Sequence, residues 1–224
     1  MTGVVADFLA ELIQLNPQDP VPTQRSTRSN RPEIADMLEQ EILHGTVGLL
    51  TNPLGYSEVY FQEGDAQYPL FRTSSMISEL APVVLYLRYV LGRGDLLALE
   101  EPEAHLHPAN QVAFARNIVR LANRGIQTVL TTHSEFFLEK LNNSIVAESL
   151  GDEAAMEAGF DEETRIRHTR VSAYFFEPSA DGTVVRELPV TASDGIGEVG
   201  FGEVEESLYN ENIALAESAA GTAK

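Results

Sequence analysis

The sequence contains no cysteine and no tryptophan, and lysine is almost absent. Without cysteine, neither a disulfide framework nor a cysteine-based zinc site can form. Lysine occurs only at Lys140 and Lys224, so none precedes residue 140. The chain therefore lacks the lysine-dependent phosphate-binding loop of many nucleotide hydrolases, the Walker A pattern G-x-x-x-x-G-K-[ST].

Positive charge and long apolar runs are scarce as well. The formal net charge is −19, which argues against a protein whose whole surface binds nucleic acid, because phosphate attraction needs a basic field. No run of about 20 apolar residues occurs, so no transmembrane helix is expected. The N-terminus carries Asp7 and Glu11 without an early cationic region, unlike a signal peptide. We expect an acidic, cytoplasmic protein with no membrane partner.

The order of the predicted elements indicates an α/β fold. Residues 96–100 and 126–132 are continuous apolar strands, expected to be buried on both faces of a mainly parallel sheet. A β-hairpin is predicted around residues 181–182. The sequence also predicts helices at residues 1–15, 33–43, 78–91, 108–124 and 134–141, and strands at residues 47–53, 57–62 and 67–72. The predicted divisions are an N-terminal part (1–67), a core (68–190) and an acidic tail (191–224).

Two adjacent carboxylates end the first of the apolar strands, in LALEEPEAHLHPA (residues 97–109). The carboxyl edge of a parallel sheet is where α/β proteins bind ligands. In nucleotide hydrolysis one acid at this position holds Mg²⁺ and the next orients or deprotonates the attacking water. Glu100 and Glu101 would repel each other, so a divalent cation is a natural partner. The alternative is a surface run of glutamates after a core strand.

Two further stretches point to the same chemistry. TVLTTHSE puts His133 at the end of the next strand, on the same predicted edge, where it could contact a γ-phosphate or the attacking water. FRTSSMISEL puts Thr73, Ser74 and Ser75 before a long helix, whose N-terminal N–H groups and dipole favour an anion. Each has a simpler interpretation, an incidental histidine and an ordinary serine cap.

Together these stretches resemble the nucleotide-binding heads of ABC-type P-loop ATPases. The similarity is to the branch of OLD-family and AAA15/AAA21-type predicted ATPases, cousins of the SMC-like repair ATPases. In that branch the Walker B strand often reads as an apolar run followed by E-E-P-E-x-H-L-H-P. LLALEEPEAHLHP matches it almost residue for residue, and the resemblance covers residues 68–190.

The resemblance implies a role for each candidate residue. Glu100 would be the Mg²⁺-associated acid, Glu101 the catalytic base and His133 the switch histidine. Met76 departs from the family pattern, because glycine is common there and allows close backbone approach to phosphate. The remaining residues would contact the opposing subunit and its ATP: Thr73, Ser74 and Ser75 as the signature loop, and Ala104 and His105 in the D-loop that runs to His107.

The missing Walker A loop leaves three explanations open. The chain could be the C-terminal piece of a longer ATPase, one half of a split ATPase, or a degenerate module without turnover. Glu101 and His133 favour the first two. The expected function is then ATP hydrolysis with Mg²⁺ in a head-to-head homodimer or hetero-assembly, once a Walker A segment is supplied. The resemblance implies a conformational switch in DNA repair or phage defence, with DNA contacted through the full-length protein and no nuclease activity.

Two rival functions remain. A zinc hydrolase could use His105 and His107 as ligands with Glu101 as its base. Against it, Pro108 and the helix that follows place both histidines in a turn, and only His133 is a further candidate ligand. A non-catalytic interaction module derived from an ATPase is the second rival.

Overall fold

The computed structural model describes residues 32–51, 57–92, 94–197 and 206–215. The chain divides into two compact units, residues 1–140 and 141–224. The helix predicted for residues 1–15 and the turn near Asn52 and Gly55 lie outside the described residues. The boundaries predicted at residues 67 and 190 stay predictions.

The described elements of the first unit match most of the predicted ones in type. Its helices are α1 (Pro32–Leu38, continued by a π-helical turn at Glu39–Leu43), α2 (Ser75–Tyr89), α3 (Pro108–Asn123) and the start of α4 (Glu135–Ser149). Its strands are β1 (Thr46–Thr51), β2 (Ser57–Glu63), β3 (Ala66–Pro69), β4 (Leu96–Glu100) and β5 (Gln127–Thr131).

Two sheets form in the first unit. Strands β1, β2 and β3 make an antiparallel meander. Strands β4 and β5 pair in parallel, in a register that runs from Leu96 opposite Gln127 to Glu100 opposite Thr131. The helix α3 connects them, so the predicted parallel strand–helix–strand unit is confirmed. This register also places the C-terminal ends of β4 and β5 at the same edge of the sheet.

The helices form the core of this unit. Apolar residues at helical spacing bury one side of each helix, and α1 packs against both α2 and α3. The helix α1 is also tied to α2 by a buried ion pair, in which Arg88 donates to both oxygens of Glu39 at 3.1 and 2.8 Å. Burial lowers the pKa of Arg88, but Glu39 and Asp36 outweigh it, so the pKa is raised. The fully buried core residues of these helices include Ile34, Leu38, Leu80, Val84, Leu85, Leu87, Phe114 and Leu121.

The predicted burial of β4 and β5 on both faces is wrong. On one face Leu97 is buried, and α3 packs against β5. On the other face Leu96 is 57% exposed and Val129 is 59% exposed, with Ala98 exposed between them. No described element covers this second face, which we call the bare face. Its members are Leu96, Ala98, Glu100, Gln127, Val129 and Thr131.

Three predicted boundaries also need correction. The helix α2 begins at Ser75 rather than residue 78, because the Ser74 side chain accepts from the N–H of Ile77 and caps it. Pro82 consequently lies inside the helix, not in its first turn. The helix α4 continues to Ser149 instead of ending near residue 141. Residues 70–72, predicted as strand, form a 3₁₀ turn.

The second unit contains the predicted hairpin. Strands β6 (Ala173–Ser179) and β7 (Gly182–Leu188) pair in antiparallel register, with Ser179 opposite Gly182. The turn needs the positive φ of 130° at Gly182, which glycine adopts readily. The remaining described elements of this unit are the rest of α4, α5 (Asp152–Glu157), a 3₁₀ turn (His168–Arg170), β8 (Val190–Thr191), β9 (Gly195–Ile196) and a helix at residues 206–215.

Candidate active site

Glu101 and His133 meet at the carboxyl edge of the parallel pair. Glu101 Oε1 lies 3.5 Å from His133 Nε2, and their side chains are 46% and 83% exposed. Glu101 has a positive φ of 41°, a conformation that costs free energy for a residue with a side chain. Its backbone N–H holds this position by donating to Thr131 O at 3.1 Å. The structure thus brings together the two residues predicted to be catalytic.

Glu100 occupies a different environment from Glu101. It is the last residue of β4, opposite Thr131, and it is exposed on the bare face. Mg²⁺ takes oxygen ligands and usually keeps several waters and phosphate oxygens, so one or two open carboxylates suffice for it. The donor chemistry of Glu100 therefore fits a Mg²⁺ ion that is shared with phosphates.

The turn after β4 is built by its own backbone. Residues 101–106 form a turn, with the N–H of Ala104 donating to Glu101 O at 3.0 Å. His107 caps α3, because its Nδ1 accepts from the N–H of Ala109 at 3.4 Å. Ala104 and His105 are exposed on this turn. The predicted turn at the two histidines is confirmed.

The described residues offer these two histidines no third zinc ligand. In the described ranges, no three His, Asp or Glu side chains are grouped so that they could hold a metal ion. The capping hydrogen bond of His107 also occupies the ring nitrogen nearest the backbone. The described residues therefore do not assemble the ligand set that a zinc hydrolase needs.

Sequence reasoning missed two polar residues of this site, Glu103 and Gln111. Glu103 is 3% exposed, and its Oε1 accepts from the Thr132 hydroxyl and from the His133 N–H at 3.2 Å. Gln111 Oε1 accepts from Ser134 Oγ at 2.5 Å. Glu103 stands in the motif EEPEAHLHP, but the motif does not indicate which residues its carboxylate contacts.

The predicted signature residues lie at the start of α2. Thr73 Oγ1 donates to Leu70 O at 2.6 Å, and Ser74 is the cap described above. Next to them, Asn110 in the first turn of α3 donates to Met76 Sδ at 3.3 Å. This contact brings the start of α2 beside the start of α3. Thr73 and Ser74 make their own hydrogen bonds within their turn, so the simpler interpretation as a helix cap describes their local structure.

The family model described as AAA ATPase domain matches residues 13–138, more than half of the sequence. The chain belongs to the AAA ATPase domain family. This AAA ATPase domain combines the parallel β4–β5 unit with helices, which confirms the predicted α/β fold class and the predicted P-loop ATPase family. The match ends a few residues after His133 and includes Glu100, Glu101 and Thr73–Ser75.

Several solved SMC heads are similar at low identity. A structure described for ATP-driven dimerization and DNA-stimulated activation of SMC ATPases is 15% identical, with a TM-score of 0.44, over 76% of this chain and 90% of its own. An SMC head bound to the winged-helix domain of ScpA is 14% identical, with a TM-score of 0.47, over 82% and 54%. The Pyrococcus furiosus Smc head bound to ScpA is 14% identical, with a TM-score of 0.43, over 70% and 34%. At this level they support no statement about activity or partners.

No curated protein sequence matches this AAA ATPase domain. Among the residues that the structure describes, no helix is long and apolar enough to cross a membrane.

Proposed function

We propose that this AAA ATPase domain supplies the hydrolytic half of an ATP site, completed by a segment or subunit that carries Walker A. The observation that carries the proposal is the 3.5 Å approach of Glu101 Oε1 to His133 Nε2 at the carboxyl edge of a parallel strand pair. An acid and a histidine held at this edge suit the activation of water beside a phosphate.

Glu101 acts as the general base in this proposal. Its carboxylate takes a proton from water while the water oxygen bonds to the γ-phosphorus and the bond to ADP breaks. His133, 83% exposed, donates a hydrogen bond to the γ-phosphate or holds the attacking water. Glu100 would hold Mg²⁺, and the bound ion would supply positive charge that offsets the charge on the transferred phosphoryl group.

The bare face is where the Walker A segment docks in this proposal. Sheets of parallel strands are normally covered on both faces, yet Leu96 and Val129 are more than half exposed. Glu100 ends the same face, so a segment that covers Leu96 and Val129 also lies beside the Mg²⁺-associated acid. An apolar strand–loop–helix segment fits this surface, because it buries both side chains and brings its phosphate-binding loop to Glu100.

The second contact surface of the proposal faces another head. Ala104 and His105 are exposed on the turn, and the Met76–Asn110 contact sets Thr73, Ser74 and Ser75 close to the start of α3. In the proposed dimer these residues meet the ATP held by the opposing head. Hydrolysis then releases the heads and drives a conformational switch.

The test is ATP hydrolysis by this chain assembled with a Walker A segment, fused ahead of it or co-expressed with it. Glu101→Gln should lower phosphate release by about 10²- to 10⁴-fold, the range that general-base catalysis contributes. ATP should still bind and should hold the heads together. Glu63→Gln makes the same chemical change at the exposed end of β2 and should leave the rate unchanged.

Two results would overturn the proposal. If hydrolysis persists in Glu101→Gln, Glu101 is not the base. If the assembly hydrolyses no ATP, and Glu101→Gln alters neither nucleotide affinity nor dimerisation, the chain is a non-catalytic interaction module. Stoichiometric zinc in protein purified without chelators would support the zinc hydrolase instead.

A further inference from the structure

We propose that Glu103 and Gln111 are positioning residues, which hold the loop 132–134 so that His133 faces Glu101. This inference rests on the proposed function, because the approach of His133 to Glu101 affects catalysis only if these two residues act in ATP hydrolysis. The tethers themselves are a property of the folded chain and can be tested without ATP.

Glu103 is the first tether. Although it sits in the turn after β4, its Oε1 accepts from both the Thr132 hydroxyl and the His133 N–H. The same hydroxyl oxygen accepts from the N–H of Ser134 at 3.0 Å, which directs its proton toward Glu103. One buried carboxylate oxygen therefore organises three consecutive residues of the loop.

The second carboxylate oxygen of Glu103, Oε2, is expected to lower the stability of the fold rather than to raise it. Glu103 Oε2 is buried and has no hydrogen-bond partner in the structure. A buried carboxylate oxygen without a partner costs free energy. A glutamine could satisfy the loop with its single amide oxygen, and an apolar residue would avoid the desolvation cost altogether. What this side chain contributes is therefore the acceptor oxygen Oε1, with its contacts to Thr132 and His133, and a glutamine would keep that oxygen.

Gln111 is the second tether. Its Oε1 accepts from Ser134 Oγ, and its Nε2 donates to Leu106 O at 2.9 Å. Ser134 Oγ in turn accepts from the N–H of Phe137 at 3.1 Å and so begins α4. The amide of Gln111 thus spans from the turn after β4 to the loop after β5, next to the span made by Glu103.

His133 needs such support because its own side chain is held weakly. The imidazole is 83% exposed, and its Nε2 lies 3.5 Å from Glu101 Oε1, a distance longer than that of a good hydrogen bond. An exposed side chain rotates about its own bonds, but a fixed backbone holds the Cα from which it rotates in one place. Fixing the backbone at Thr132, His133 and Ser134 limits where Nε2 can lie, and errors of 1 Å in a catalytic group cost rate.

The first experiment measures hydrogen exchange of backbone amides in the intact chain. In Glu103→Ala, exchange of the His133 amide should accelerate about tenfold, because the amide loses a charged acceptor. Glu103→Gln keeps an acceptor oxygen and should restore most of the protection. Glu63→Ala is the matched control at an exposed glutamate, and amides of α2 report any global loss of stability.

Thr132→Val keeps the test decisive if Glu103→Ala fails to fold. It removes the hydroxyl that accepts from Ser134 and should accelerate exchange of the Ser134 amide while α2 stays protected. The tether made by Glu103 is refuted if folded Glu103→Ala or Thr132→Val exchanges these amides at the wild-type rate.

The second experiment measures hydrolysis by the assembled ATPase. Glu103→Ala should lower kcat by about 10- to 100-fold with KM unchanged, because His133 is misplaced while ATP binds as before. Glu103→Gln should recover most of kcat. If Glu103→Gln is as inactive as Glu103→Ala, the negative charge itself is required and the positioning role is wrong. Failure of the proposed function is a separate outcome, because Glu101→Gln would then leave hydrolysis intact, or the assembly would hydrolyse no ATP at all, whatever the exchange rates show.

Discussion

The two faces of the β4–β5 pair carry similar side chains and have opposite surroundings. Leu97 is 5% exposed, whereas its neighbour Leu96 is 57% exposed. Alternate residues of one strand point to opposite faces, so residue type cannot account for this difference. The difference comes from what packs on each face, which is the helical layer on one side and no described element on the other.

The covered side should therefore hold most of the stability of the first unit. Phe114 is 1% exposed and lies against Phe137, with ring centroids 6.3 Å apart. Phe114→Ala should lower the free energy of unfolding by about 3–5 kcal/mol, through lost burial and the cavity left behind. Chemical denaturation measures this loss. Phe71→Ala, at a residue 83% exposed, is the control and should cost less than about 0.5 kcal/mol.

The same layer is held by the Arg88–Glu39 ion pair, the next largest expected effect. Arg88→Met leaves Glu39, 5% exposed, without its cation and should cost about 3 kcal/mol in the free energy of unfolding. Arg186→Met breaks an exposed pair with Glu177 and should cost about 0–1 kcal/mol. Equal losses in the two variants would show that burial does not distinguish the pairs.

Much of the fold could be predicted from the sequence, because periodicity reports element type. Residues 96–100 read as a strand and residues 108–124 as a helix that ends at Gly125, whose φ of 82° suits glycine. The exposure of one face of β4 could not be predicted, since it depends on a covering layer that periodicity does not describe. The extension of α4 past residue 141 was missed because Asn142 and Asn143 are weak helix formers.

The candidate site, like the fold, could be predicted only in part from the sequence. Glu101 and His133 were expected to be neighbours because parallel strands bring their carboxyl ends to one edge, and the structure agrees. Their roles in catalysis stay predictions. Glu103 could not be found, because its contacts with Thr132 and His133 depend on how a turn folds back over 30 residues of sequence separation.

Lys140 offers a smaller test of the covered layer. Burial lowers its pKa, and so do Arg116 and Arg120 of α3. Because the folded-state pKa lies below the unfolded value of 10.5, the unfolded chain binds more protons between those two values. Stability should therefore rise with pH across that window. Lys140→Met should flatten this rise and stabilise the protein at neutral pH by less than about 1 kcal/mol, as water screens a half-exposed ammonium. If the denaturation midpoints of Lys140→Met depend on pH as those of the wild type do, this prediction is wrong.

Substitution of Val129 on the bare face should have the smallest effect on the free energy of unfolding. It also tests most directly whether the two faces of the β4–β5 pair differ. Val129→Thr keeps a β-branched side chain at a site 59% exposed, so it should change the free energy of unfolding by less than about 0.5 kcal/mol. Val119→Thr, the same change at a residue 1% exposed in α3, should cost about 1–3 kcal/mol. Equal costs would mean that the bare face is covered in solution. If instead Val129→Thr leaves stability intact but weakens assembly with a Walker A segment, the face is free in the chain and used in the complete ATPase, because only docking buries the new hydroxyl.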